Sequence, residues 1–303
     1  MTLVPCACGI DLHAHVVPEH FPRYLGRSVP SPWPSTELAP PARGLCHRHV
    51  MVGGQHYRTL DERSWSASRR LADLPAMGLA AQVISPMPEL LSYWLDLADA
   101  QPLIRFLNEH TAALCAEASS AHGPRLLGLA AVPLQDVHAA ITELRHAVQV
   151  LGLAGVEIGS NVNGSTIGDA RFEPFFEACV ALDVPVFVHA LKPTGMDRLV
   201  GPAPLQQVLA YPTDVGLAAA SVITGGLLQR LPGLRIAFSH GGGTLALLLP
   251  RLQQGWQVFP ALRDSIAESP SAQARRLFYD TLVFDAPTLR HLAASFGSTQ
   301  LML

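Results

Sequence analysis

The sequence predicts one (β/α)8 barrel of the TIM type over residues 1–303, with an insertion after the first strand. Three observations carry this. Short apolar runs alternate with longer amphipathic stretches along the whole chain. The runs are continuously apolar, as in a parallel sheet covered on both faces. Several of them end in histidine, at the strand end where such barrels place their chemistry.

The elements follow in order. GIDLHAH (9–15) is the first strand. Residues two apart in a strand share a face, so Asp11, His13 and His15 are expected to point one way and Ile10, Leu12 and Ala14 the other. Residues 16–62 then break the rhythm. They are rich in proline, arginine and histidine, hold no helical period, and read as an irregular insertion. A long loop after strand 1 sits at the C-terminal rim, where it is expected to act as a lid or to touch substrate. The later strands are AQVISP (81–86), LLGLAAVP (126–133), GVEIGS (155–160), VPVFVHA (184–190), LRIAFSH (234–240) and LFYDTLV (277–283). Between them, 136–152 and 171–183 read as amphipathic helices. An eighth strand begins at Gln300, and the sequence given stops at Leu303.

Composition narrows the function. The chain is 49% apolar and 15% charged, which suits a soluble protein with a large core. A formal charge of −3 gives no footprint for nucleic acid. No apolar run reaches the ~20 residues that span a bilayer. The N-terminus lacks the basic and apolar regions of a secretion signal. Cys6, Cys8, Cys46, Cys115 and Cys179 are odd in number and share no spacing, which argues against a disulfide framework. A cytoplasmic protein is expected.

His13-Ala-His15 is the strongest chemical signal, because two imidazoles at the end of one strand can reach one ion. His189 and His240 also end apolar strands, with Phe187 and Phe238 expected below them on the inward face. Burying imidazole beside phenylalanine is costly unless it meets a metal or a polar partner. Four histidines from three strands at one rim, His13, His15, His189 and His240, indicate a divalent-metal site. Three neutral imidazoles suit zinc. Gly241, Gly242 and Gly243 would let a ligand or a neighbouring chain come close to the backbone. His47-Arg-His49 beside Cys46 is a rival site without a strand to align its rings. His110, His122, His138, His146 and His291 fall on helices and read as surface residues. Glu157, inside a strand, could reach a metal, but a packed, hydrogen-bonded carboxylate is the preferred reading.

The blocks IDLHAHVVPEHFP, LLSYW, LLGLAAVPLQD, GVEIGSNVNG, FVHA, TGGLLQRLPGLRIAFSHGGG and YDTLVFDAPTLR occur in this order. With them the chain resembles the amidohydrolase superfamily, in the branch of aminocarboxymuconate semialdehyde decarboxylase and related non-oxidative decarboxylases. The resemblance implies His13, His15 and His189 as ligands of one divalent ion and His240 as the group that activates water. It implies that Arg58 binds a substrate carboxylate, and that Arg251 enters the partner's active site in a homodimer. The helix over 243–258, with Leu245, Leu248, Leu249 and Trp256 on one face, is the expected contact, and Arg251 is expected to be buried there.

The activity implied is a metal-dependent, oxygen-independent decarboxylation of a small unsaturated or aromatic carboxylic acid. A hydrolase (lactonase or amidase) or a hydratase would use the same residues. Two-metal relatives often carry a bridging lysine at the end of strand 4. That strand ends IGSN here, and the only lysine is Lys192, so one metal is expected. The chain departs from the family at Ala190-Leu191-Lys192, in place of Pro-Trp, and at Asn161, in place of histidine. The family's strand-8 block, with its metal-binding aspartate, and the last helix would follow Leu303. Strand 8 and that helix are therefore expected to be truncated in the sequence given.

Overall fold

The computed structural model describes residues 9–24, 26, 33–120 and 123–303. The readings made for Cys6, Cys8 and His122 lie outside these described residues. Three strands of the insertion, β2 (Pro34–Ala42), β3 (Leu45–Val52) and β4 (Gln55–Asp61), form a separate antiparallel sheet. Eight other strands form one parallel sheet in chain order. They are β1 (Gly9–Val16), β5 (Leu79–Pro86), β6 (Leu126–Ala130), β7 (Gly155–Gly159), β8 (Val186–His189), β9 (Ile236–Phe238), β10 (Phe278–Asp280) and β11 (Leu301–Met302). The Leu12 N–H donates to the Leu303 carbonyl at 2.7 Å, which brings the last strand back to the first. Each strand falls on an apolar run expected from the sequence.

The main helices are α1 (Ala67–Asp73), α2 (Leu97–Glu117), α3 (Val137–Gln149), α4 (Glu173–Ala181), α5 (Tyr211–Thr224), α6 (Leu245–Val258) and α7 (Ala286–Phe296). The Asp136 carboxylate caps α3 by accepting from the Ala139 N–H, so this helix starts where its apolar period starts.

Alternation along the strands divides the apolar side chains into two layers. Val186 and Val188 of β8, with Ile236 and Phe238 of β9, pack outward against the helices. Phe187 turns inward to Val83 and Leu129, with Leu12 and Ala237 beside them, in the lumen. An apolar cavity of about 320 Å³ lies in that lumen.

Over residues 34–61 the insertion is not irregular, contrary to expectation. Its turns are Arg43-Gly44 (φ 52° and 74°) and Gly53-Gly54 (φ 61° and 72°). Two residues of positive φ between antiparallel strands make the hairpin turn whose twist suits the strands. The Gly-Gly pair between two strand-like runs was the available signal.

After β9 the chain makes a turn of four left-handed residues: His240 (φ 55°), Gly241 (64°), Gly242 (73°) and Gly243 (59°). These glycines were expected to admit a ligand or a neighbouring chain. Instead they admit this chain itself. A Cβ on Gly242 would strike the Tyr279 ring, and one on Gly243 would fall on the Pro212 carbonyl. Replacing Gly243 by alanine should therefore cost about 2–5 kcal/mol, from backbone strain plus overpacking. A urea denaturation midpoint equal to that of wild type would disprove this.

Candidate metal centre

β1 does not alternate as simply as expected. Its pairing with β5 slips by one residue between Asp11 and Ala14, the mark of a β-bulge. Asp11 therefore shares no face with the histidines. It accepts from Gln82 at 2.6 Å, and Gln82 accepts from Arg70 of α1. Leu12 lines the lumen cavity, and beyond the bulge His13 and His15 reach the C-terminal mouth. His189 arrives there by ordinary alternation from Phe187. His240 does not. Phe238 packs outward rather than below it, and the left-handed turn at His240 swings the imidazole inward. A non-glycine residue in that region marks strain held by its surroundings.

The four imidazoles border one space. His13 Nε2 and His15 Nε2 are 3.2 Å apart. One ring nitrogen from each of His13, His189 and His240 lies within 4.8 Å of the others, so the group that gathers this closely among the described residues includes His240 and not the expected His15. The His189 ring centroid is 4.9 Å from that of His15 and 5.0 Å from that of His240. Two nitrogens bound at about 2.1 Å to one ion stand roughly 3.0–3.4 Å apart at octahedral or tetrahedral angles. The His13–His15 spacing fits that range.

Each Nδ1 is engaged from behind. His13 Nδ1 meets Asp280 Oδ2 at 2.7 Å, and His15 Nδ1 meets Ser85 Oγ at 3.1 Å. His189 Nδ1 meets the Ala190 carbonyl at 2.8 Å, and His240 Nδ1 meets Ser239 Oγ at 3.1 Å. The Nε2 nitrogens of His13 and His15 face each other, and those of His189 and His240 have no hydrogen-bond partner among the described residues, which leaves all four turned to the shared space. Burial, reinforced by the neighbouring imidazoles, holds His15 and His189 well below the usual histidine range. Burial lowers His240 to about 4, although the Asp280 charge opposes it. These three rings are therefore neutral at pH 7, the form that ligates.

Asp280 is the site residue that sequence reasoning missed. It accepts from His13, from the backbone N–H groups of His240 (2.9 Å) and Gly241 (2.7 Å), and from Leu282 N–H. Burial works to raise its carboxyl, but these donors win and hold it below the usual range. Alternation in Phe278-Tyr279-Asp280 was the signal, with Phe278 in the lumen and Tyr279 outward.

Above the histidines opens a cavity of about 570 Å³, lined among others by Arg58, Glu89, Tyr211 and Phe284. Arg58 comes from β4, so the insertion does reach the cavity. Among the described residues its guanidinium forms no ion pair. Glu89 Oε1 accepts from the hydroxyls of Tyr57 and Tyr211.

The other candidates fall elsewhere. His47 and His49 lie on β3, not in an irregular loop. His49 Nδ1 bonds Thr59 Oγ1 at 2.8 Å, and neither histidine belongs to a three-ligand cluster among the described residues. Arg251 is exposed rather than buried and lines a surface groove of α6. Its helix buries Leu245, Ala246 and Leu249, and a step of two residues from Leu249 carries Arg251 to the far side. His138 and His291 are exposed as expected, whereas His110 and His146 are half-buried. Glu157 is fully buried, but neither of its oxygens has a hydrogen-bond partner. The two positions departing from the family form one unit, because the Asn161 amide donates to the Leu191 carbonyl at 2.8 Å. Lys192 stacks on Trp94 at 3.5 Å, and β7 contributes no lysine to the cluster.

A parallel barrel with histidines gathered at its C-terminal rim agrees with the comparison to known families. Residues 10–303 match the family described as amidohydrolase, and the chain belongs to it. It is similar to the 2-amino-3-carboxymuconate-6-semialdehyde decarboxylase of Dictyostelium discoideum, with 32% identity over 97% of this chain and 80% of that one. That match places it in the branch of those decarboxylases. Its fold is also that of the Metarhizium anisopliae IDCase crystal structure in apo form, with TM-score 0.79 at 19% identity over 97% of this chain and 83% of that one. A dihydroxybenzoic acid decarboxylase from Polaromonas sp. JS666, solved with manganese and 2-nitroresorcinol, gives TM-score 0.64 at 22% identity over 77% of this chain and 73% of that one.

Asp280→Asn should weaken metal binding about 10–100-fold, the usual effect of losing a carboxylate behind a ligating histidine. Competition with a chelator measures it, and affinity equal to wild type would remove Asp280 from the site.

Proposed function

We propose that the protein is a metal-dependent, oxygen-independent decarboxylase of a small unsaturated or aromatic carboxylic acid. The observation that carries this is the convergence of four imidazoles, each backed at Nδ1, beneath a cavity holding an arginine that has no ion-pair partner among the described residues. His13, His15 and His189 hold one divalent ion, and zinc suits three neutral imidazoles. Such an ion supplies Lewis-acid chemistry, stabilising negative charge on a nearby oxygen.

The side chains supply the rest. Arg58 grips a carboxylate through paired N–H groups. The carbon–carbon bond to that or another carboxylate breaks, carbon dioxide leaves, and the electron pair stays on the substrate carbon. His240 relays to this carbon a proton taken from water. Its setting supports the role. The Ser239 hydroxyl behind His240 Nδ1 can donate or accept, so the ring is free to change protonation state. The sheet β2–β4 serves as the lid over this step, since Arg58 comes from it.

Two further assignments belong to the same reading. The protein is a homodimer in which Arg251 of one chain reaches the other's cavity. Support comes from the apolar surface beside it, where Leu247, Leu248, Val258 and Phe259 are half or more exposed. Sedimentation velocity showing only monomer at micromolar concentration would refute that assembly. The setting is cytoplasmic, in keeping with free thiols at Cys46, Cys115 and Cys179.

The reading is tested by carbon dioxide release from a panel of aromatic and unsaturated acids, without oxygen, by zinc-loaded protein carrying about one ion per chain. His240→Ala should lower kcat about 10²–10⁴-fold while keeping most of the metal. Near-normal turnover in that variant, or no release from any acid by wild type, would count against it.

Arg58→Ala should raise KM for the acid about 10–100-fold, the loss of a charge-assisted contact of roughly 1.5–3 kcal/mol. An unchanged KM with a lowered melting temperature would make Arg58 structural instead.

A further inference from the structure

The partners behind the four imidazoles are not of equal kind. Behind His13 stands a carboxylate, and behind His189 a backbone carbonyl. Both only accept, so each draws the ring proton to Nδ1 and leaves a lone pair on Nε2. Behind His15 stands the Ser85 hydroxyl. A hydroxyl donates as readily as it accepts. If it donated to Nδ1, the ring proton would sit on Nε2 and His15 would have no lone pair there for an ion. Something must fix the direction of that hydroxyl.

Glu157 is the unexplained group nearby. It is 0% exposed, neither oxygen has a hydrogen-bond partner among the described residues, and Oε2 lies 3.9 Å from His15 Nδ1. Its place in β7, opposite Phe187 in β8, sets it on the lumen side of the barrel. A carboxylate buried without donors is costly, and a neutral amide of the same shape would fill the space. The Ser85 hydroxyl is the polar group that faces it. Packing alone therefore does not account for a carboxylate here. Its approach to His15 is from the Nδ1 side, the nitrogen turned away from His13 Nε2, so it stands behind the ring rather than among the ligand atoms.

We propose that Glu157 is a positioning residue of the metal centre: it accepts a hydrogen bond from the Ser85 hydroxyl, so that Ser85 accepts from His15 Nδ1 and His15 presents a bare Nε2 to the ion. This rests on His15 being a ligand. Glu157–Ser85–His15 is then the counterpart of Asp280–His13, with a hydroxyl inserted because the carboxylate stands 3.9 Å from the ring instead of 2.7 Å. A cation at Nε2 polarises the ring N–H toward Ser85 and offsets the buried negative charge. The carboxylate is thus a burden on the empty protein and an asset to the loaded one.

The test titrates zinc into metal-free wild type, Glu157→Gln, Ser85→Ala and the double variant against a competing chelator, and records melting temperatures without metal. Glu157→Gln and Ser85→Ala should each weaken zinc about 10–100-fold. The double variant should be no weaker than the worse single one, because both act through one chain of contacts. Metal-free Glu157→Gln should melt at or above the wild-type temperature, and the Co(II)-loaded variant should keep the wild-type visible spectrum, as an unaltered ligand set requires. Four results would overturn the proposal. Unchanged zinc affinity would leave Glu157 without a role at the metal. Additive losses would mean that the two residues act separately. A changed cobalt spectrum would make Glu157 a ligand. A melting temperature lowered without metal would make it structural. If wild type itself binds no zinc, the metal reading fails first and the proposal with it.

Discussion

Asp280 sits where three parts of the barrel rim meet, and its carboxylate joins them. One oxygen serves the His13 ring from β1 and the backbone of His240, and the other serves Gly241 and Leu282. A carboxylate with 1% of its side chain exposed is tolerable only when its lone pairs are used, and here four donors use them. The interaction therefore ties the first strand, the turn after β9 and the end of β10 to one point. Remove it, and the His13 ring is free to rotate, the turn loses two of its anchors, and a buried charge is left without compensation.

That anchoring explains how the turn at 240–243 can be left-handed for four residues. Glycine adopts such a conformation freely, but histidine does not. The Asp280 carboxylate holds the N–H groups of the two leading residues, while Tyr279 and the Pro212 carbonyl close on the glycines. Tyr279 is itself clamped, with its ring stacked on Phe296 of α7 at 3.8 Å. Strain at His240 is thus held by packing that reaches the outer helix layer. The benefit is directional, since the strand alone would have left the ring away from the other three.

The barrel and its insertion divide the work. The barrel strands fix the imidazoles above a lumen lined, apart from Glu157, mainly by apolar side chains. The sheet β2–β4 brings Arg58 over the same space from above, with Tyr57 beside it bonded to Glu89 at the end of β5. Hairpins with two-residue turns are stiff, so this cover is a built element and not a loose loop. The Asn161 and Leu191 positions couple β7 to the segment after β8. The two departures from the family's pattern are therefore one change in the wall near the site, not two.

Much of this was legible in the sequence because it depends on local pattern. Eight apolar runs, their spacing and the histidines at their ends need only period-two geometry and the known polarity of the barrel to be read. Arg58 and the four histidines do line one cavity. What escaped depends on departures from regular geometry, or on partners distant in the chain. The bulge that turns Asp11 away from His13 is an extra residue that no alternation reveals. The turn that swings His240 inward reverses the face that β9 would have given it. Asp280 meets His13 across 267 residues, and Arg251 was placed by its leucine neighbours when the helical step put it on the opposite side. Sequence by itself determined the strands and which residue types reach the rim, because those follow from short-range backbone periodicity. Only the tertiary structure decided which nitrogen of each imidazole is held and which is left bare, because hydrogen bonds between strands far apart in sequence settle that.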